Sequence, residues 1–330
     1  MKKTAALITV LVLVATGFIS CGKSEGPKAG TAKSDDMLKF FPVDADGVFF
    51  VDMSRAMEAE FIQKALTEDE DLKKFIEKTN IDPTQDIFFL AGAINQKSEE
   101  DGKEQGSIVV NMKFDKDLLL PLLKEKAAEE EQDLMESDYE GYTLYGMIQD
   151  EKEICLSFLD DSNIAMGNPG QVKSVIDVIL NKKEDVFKNK ALTDLISKTN
   201  KQAILWGAIQ FNPETLDKVA SESPMLEDLK GIQSASLSLD YKSSAYHGEI
   251  KLTGGDEAKN KQIVEFLTGI KALGAMLAGE KPEVGEVLNS IEITSDPENV
   301  LILVNIPEEL LVQLQNDMKS EEENPEEEIR

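Results

Sequence analysis

Few residues in this chain have the type and spacing to do chemistry, and Cys21 leads them. It is one of two cysteines and closes the stretch MKKTAALITVLVLVATGFISC. Lys2 and Lys3 precede an uncharged, mostly apolar run from Ala5 to Ile19, which ends on Ser20-Cys21-Gly22. A positive start, a short apolar run and a small residue at the cut are the order of a secretory signal peptide, here residues 1–20. As a helix the run rises about 22 Å, short of the ~30 Å hydrocarbon core, so it reads as an export signal and not as a span.

Phe18-Ile19-Ser20-Cys21 resembles the lipobox of bacterial lipoproteins, with Phe18 at a position that is usually aliphatic. The resemblance implies that the Cys21 thiol is lipidated, palmitate being one such lipid, and becomes the mature N-terminus of a membrane-anchored cell-envelope protein. In that family an Asp after the cysteine retains the protein at the inner membrane. Gly22 stands there instead, which implies the outer membrane, on its periplasmic or surface face, in a host with two membranes. The leader, the polar stretch after it and Phe41-Pro42-Val43-Asp44-Ala45-Asp46 before a strand also resemble exported lipoprotein domains of uncharacterised function, which brings no activity with it.

The remaining candidates for chemistry reduce to turns, caps and core. Cys155 lies in the strand-like run Ile154-Cys155-Leu156-Ser157-Phe158 and reads as a buried small hydrophobe, with no second thiol left to pair with. His247 is the single histidine. Ser243 and Ser244 beside it read as a hairpin turn, and the chain has no G-x-S-x-G elbow to supply a nucleophile. One His and one distant Cys make no zinc ligand set. Asp44-Ala45-Asp46-Gly47, Glu68 to Asp71 and Asp160-Asp161 lack the spacing of a calcium loop. Gly254-Gly255-Asp256-Glu257 resembles the core of the diguanylate cyclase signature, but Ala258 replaces the family's Phe, and the motif joins a strand to a long helix. We therefore expect no catalytic residues, no metal, no cofactor and no enzyme.

Charge narrows the partners. The formal net charge is −28, and loss of Lys2 and Lys3 with the leader takes it to −30. Such an acidic protein repels nucleic acid and anionic surfaces. A hydrophobic fraction of 41% is enough for a packed core.

The elements that would position these residues follow from periodicity. Residues 21–36 (CGKSEGPKAGTAKSDD) read as a lipidated end and flexible tether. Residues 37–187 read as a first α+β lobe and 188–318 as a second, followed by a disordered acidic tail, 319–330. Each lobe runs strand, helix, strand pair, helix, strand group, helix. That implies two similar lobes of antiparallel sheet covered by helices on one face, a possible internal duplication. Helices are expected from Ser54, Asp115, Asn168-Pro169, Asn212-Pro213, Asp256 and Pro307. In Gly231 to Tyr241, Leu237, Leu239 and Tyr241 mark a buried face and Ser236, Ser238 and Asp240 a wetter one.

One helix stands out. From Gln262 to Gly279 it carries only Glu265 and Lys271 as charges. Ile263, Phe266, Leu267, Ile270, Leu273 and Leu277 form a stripe that Val264, Ala272, Ala275 and Met276 widen around the circumference. A helix this apolar is buried on more than one side, or lines a groove for a lipid or other apolar ligand. The sequence thus points to a lipid-anchored envelope lipoprotein with a non-enzymatic binding or scaffolding role. Its partners would be the membrane, through acyl chains on Cys21, and an envelope protein. Alternatives are a hydrophobic-ligand carrier and, behind it, an envelope hydrolase.

Overall fold

The structure, a computed structural model, describes residues 26–67, 70–96, 105–149, 152–214, 216–217, 229–277 and 282–323. Residues 1–25, which include the expected leader and Cys21, and residues 324–330 lie outside it. The chain is mixed α+β and divides into two compact units. The first takes the described residues up to Met57 and Lys64–Lys198, the second Glu58–Gln63 and those from Thr199 onward.

The first unit contains α1 (Ser34–Leu38), β1 (Gly47–Asp52), α2 (Met53–Ala56), α3 (Glu60–Thr67, begun in the second unit's segment), α4 (Glu70–Thr79) and α5 (Pro83–Asp86). It continues with β2 (Ile87–Asn95), β3 (Gln105–Met112), α6 (Lys116–Glu129), β4 (Met135–Tyr139), β5 (Tyr142–Gln149), β6 (Lys152–Phe158) and β7 (Asn163–Gly167). Helices α7 (Pro169–Ile179) and α8 (Lys190–Ser197) complete it. The strands pair antiparallel in the order β1-β2-β3-β7-β6-β5-β4. The second unit contains β8 (Leu205–Gln210), β9 (Ser234–Lys242), β10 (Ala245–Thr253), α9 (Glu257–Leu277), α10 (Pro282–Asn289), β11 (Ile291–Ser295), β12 (Asn299–Pro307) and α11 (Glu308–Glu323). Its order is β8-β9-β10-β12-β11, again antiparallel.

The two units share the plan expected from sequence. In each, three strands run as neighbours and a helix crosses over (α6, or α9 with α10). A strand group then returns so that its last member pairs with the third strand, and a helix follows. The crossover joins parallel strands separated by antiparallel ones, which is the split β-α-β arrangement.

Local chemistry explains most starts. The carboxylates of Asp82 and Asp115 accept from the backbone N–H of Thr84 and Asp117, each at 2.9 Å. The helix expected from Ser54 begins at Met53, because Asp52 is the cap, accepting from Arg55 N–H at 3.1 Å. Ser243 and Ser244 both have positive φ (53° and 56°), as a two-residue hairpin turn with the right twist requires. Strand β4 and helix α10 went unread. Met135–Tyr139 is polar and mostly exposed, and Pro282–Asn289 is too short to show a period. Helix α11 runs to Glu323, past the expected end near Met318.

Covering by helices on one face does not hold for the first unit. On one face Leu119, Leu120 and Leu123 of α6 pack with Leu90, Val110, Leu156 and Ile164. On the other, small residues (Ala91, Ala165, Ser157, Cys155) alternate with them, all 4% exposed or less. Val172, Val175 and Ile176 of α7, each 0% exposed, pack against this sheet outside the α6 cluster. Strands apolar on both sides are those buried on both sides.

The tether is also shorter than expected. Residues 26–36 are part of the body. The Pro27 carbonyl accepts from the amides of Asn111 (3.1 Å) and Asn163 (3.0 Å). Gly26 N–H donates to Asp160 at 3.1 Å, and Gly30 N–H to Asn111 at 3.0 Å. Met37 and Leu38 of α1 are fully buried. A run without large apolar residues reads as free coil, yet its backbone is bound by asparagines more than eighty residues away. The lobe boundary expected at 187/188 falls after Lys198 instead.

Candidate functional site

Three regions were candidates, and each is placed differently by the fold. Cys21 lies outside the described residues. The second is α9, whose apolar stripe divides into two arcs. Ile263 is 1% exposed and packs with Ile232 and Val300, with Leu267 and Val264 against the same cluster. Asn260 is buried on this arc and donates to Asp296 O at 3.1 Å, and Lys271 donates to Ile291 O at 2.6 Å. Phe266 is half-buried on the neighbouring arc. Farther along, Ile270 is 41%, Leu273 50% and Met276 79% exposed. The side chain of Leu277 is outside the described residues. Burial on several sides is therefore not what this helix has: its inner arc is core and the C-terminal half of its outer arc faces solvent.

The sheet beneath is likewise covered only in part. Register places Leu237, Ile250, Ile302 and Ile293 on one face, opposite one another across β9, β10, β12 and β11. Leu237 is 40% and Ile250 37% exposed. Ser236 and Asp240, expected on the wetter face, are 7% and 4% exposed. Leu252, Val300 and Ile293 share the face of Leu237 and Ile250 and pack with Ile263, so alternation identified which residues share a face, but not how far each face is covered.

The third region is a cleft of about 540 Å³ on that polar face, and nothing in the sequence announced it. Asp240 and His247 are direct cross-strand partners there, with Lys242, Ser238, Glu249 and Asn305 around them. Asp240 is buried, accepts from Tyr241 N–H at 3.1 Å and pairs with Lys242 Nζ at 2.5 Å. His247 is exposed. An open cleft in which the buried carboxylate already neutralises a lysine suits polar solutes better than acid–base catalysis, which gains from a dry site. Among the described residues, no three His, Cys, Asp or Glu side chains converge to hold a metal ion.

A buried carboxylate that sequence reasoning passed over is Glu308, 7% exposed at the start of α11. It accepts from Phe61 N–H at 2.8 Å and from the Tyr241 hydroxyl. The hydrogen bond to Glu308, then burial, raises the Tyr241 pKa. Tyr246, with its ring centroid 5.1 Å from that of Tyr241, is raised by burial. Both phenols stay neutral, so the cluster is a latch that ties Glu58–Gln63 into the second unit.

Gly254 and Gly255 serve the turn between β10 and α9. Gly254 has φ +129°, and a Cβ there would lie 2.5 Å from Gln233 N. Cys155 is buried and free, its thiol pushed by burial from 9.0 to about 12. Tyr142 and Tyr145 are raised from 10.0, also chiefly by burial. All three stay neutral in the fold and ionise more readily when unfolded. For Cys155 the contribution is full below pH 9.0 and is lost as pH rises through about 12, and the tyrosines add to the loss above 10.0. Urea midpoints should fall across that window, and Cys155→Ala should flatten the fall. An unchanged profile in the variant would assign it to the tyrosines.

No protein-family model and no curated protein matches the chain. Among solved structures it is similar to crystal form III of TP0453, at 12% identity and TM-score 0.46, over 84% of this chain and 96% of that one. Crystal form I of TP0453 is similar at 13% identity and TM-score 0.45, over 87% and 98%.

Proposed function

We propose that this is a lipid-anchored envelope lipoprotein, held on a membrane through Cys21, whose second unit binds a partner without catalysing a reaction. The observation that carries the binding role is the uncovered apolar surface of that unit. Leu237, Ile250, Ile270, Leu273 and Met276 are five of the eight large hydrophobic residues exposed among those described. Exposed apolar side chains concentrated on one unit in this way mark a candidate interaction surface. The anchor itself is supported by the leader and by Phe18-Ile19-Ser20-Cys21.

The experiment has two arms. Cys21→Ala should abolish incorporation of a labelled fatty acid, and unchanged labelling would end the anchor reading. Leu273→Asp with Met276→Asp sits on exposed positions, so the fold should hold to within about 0.5 kcal/mol. The same pair should remove proteins cross-linked to the wild type in native envelopes, and an unaltered cross-linking pattern would count against this surface. The carrier reading is favoured by the same residues. It predicts lipid in organic extracts of the purified protein, and none after the double substitution.

A further inference from the structure

We propose that the edge of the first unit formed by residues 26–40 and 179–188 is the face its anchor holds against the bilayer, with its lysines on anionic headgroup phosphates. This rests on the reading of Cys21 as the lipidated residue. Gly26 is already bound to the body, donating to Asp160, and the Pro27 carbonyl is bound by Asn111 and Asn163. Gly26 follows Cys21 by five positions. Five residues of fully extended chain span at most about 18 Å. While the acyl chains are in the membrane, this edge cannot lie farther than that from their point of entry. An anchor on a leash this short selects an orientation as well as a compartment.

The chemistry of the edge fits the surface it would meet. It carries a cleft of about 820 Å³ lined by Gly26, Pro27, Lys39, Lys182, Lys183 and Lys188, among others. Residues 26–40 and 179–188 hold six lysines against four carboxylates, in a chain whose formal charge is −28. A negative bilayer attracts this edge and repels most of the remaining surface, which reinforces the orientation set by the leash. Lys39 pairs with Asp36 at 3.2 Å and Lys182 with Glu140 at 2.7 Å, while Lys183 donates to Ser174 at 3.0 Å. The partners are exposed or half-exposed, and such pairs are weak enough to be exchanged for a phosphate.

The test uses the full-length lipidated protein, in phosphatidylcholine–phosphatidylglycerol vesicles and separately in nonionic detergent. Both are treated with a membrane-impermeant amine reagent, and peptide mass spectrometry reads each lysine. Modification of Lys39, Lys182, Lys183 and Lys188 should fall about threefold or more on vesicles, while Lys124 of the same unit changes less. Equal modification in both settings, with acyl mass present on the Cys21 peptide, overturns the orientation and leaves the anchor standing. A Cys21 peptide without acyl mass fails the anchor reading, and the orientation falls with it. Equal protection by millimolar inorganic phosphate in detergent would make the cleft a small-anion site and overturn the bilayer assignment.

Discussion

Gly167→Ala is expected to destabilise the protein by about 3–5 kcal/mol, although it adds a single methyl group. Gly167 ends β7 with φ +147°, a conformation that L side chains rarely adopt. Its added Cβ would lie 2.3 Å from the Gly106 carbonyl oxygen and 2.9 Å from the Ser107 Cα. Both are backbone atoms of the paired strand β3, so no side-chain rotation relieves the clash. The pairing of β3 with β7 must open, and it joins the two strand groups of the first unit. Gly170, three residues on in the first turn of α7, is the control: nothing lies within 4 Å of a Cβ placed there. Gly170→Ala should be neutral or stabilising by up to about 1 kcal/mol, since alanine loses less backbone freedom. Urea unfolding of the two variants should move in opposite directions. Equal and small shifts would mean that β3 and β7 tolerate separation at this point.

Asn163→Ala is expected to cost about 3 kcal/mol and to loosen residues 26–36. Asn163 and Asn111 are both 0% exposed and joined at 2.9 Å, and each donates to the Pro27 carbonyl. Asn163 also donates to both oxygens of Asp160, which in turn accept from Gly26 and Ser162. Alanine leaves the Asn111 amide and the Asp160 carboxylate short of partners in a buried place, and an unmade buried bond costs more than a made one contributes. The second readout separates this from general weakening: tryptic cleavage after Lys28 and Lys33 should rise under conditions where the remainder of the chain is uncut. Loss below about 1 kcal/mol with unchanged cleavage would show that the asparagines do not hold the N-terminal segment. Since the proposed orientation depends on that attachment, the variant should also lose lysine protection on vesicles.

Much of the architecture was legible. Hydrophobic periodicity and the signals Asp115, Asn168-Pro169 and Ser243-Ser244 located elements whose observed bounds agree within a few residues. Repetition of strand, helix, strand pair, helix was legible because each element carries its own pattern. Strand β4 was not, since Met135–Tyr139 has neither an apolar face nor alternation and is a strand because β5 pairs with it. Of the apolar positions named on the long helix, Ile263 and Leu267 are core as read. Ile270 and Leu273 are not, because a helical period records which residues share a side and not what lies across from them.

By itself, then, the sequence determined the plan of mixed helix and antiparallel strand that each unit repeats. That plan rests on local properties: a spacing, a residue type within a few positions. Only the tertiary structure decided that residues 26–36 belong to the body and that Glu308 draws Glu58–Gln63 into the second unit. It also decided that the apolar face of β9 and β10 is covered only in part, Leu252 and Val300 packing with Ile263 while Leu237 and Ile250 on the same face stay 40% and 37% exposed. The physical reason is common to all three. Each depends on partners far along the chain, as Asn111 to Pro27 over 84 positions and Phe61 to Glu308 over 247 illustrate, and burial is a property of what arrives from elsewhere in the chain.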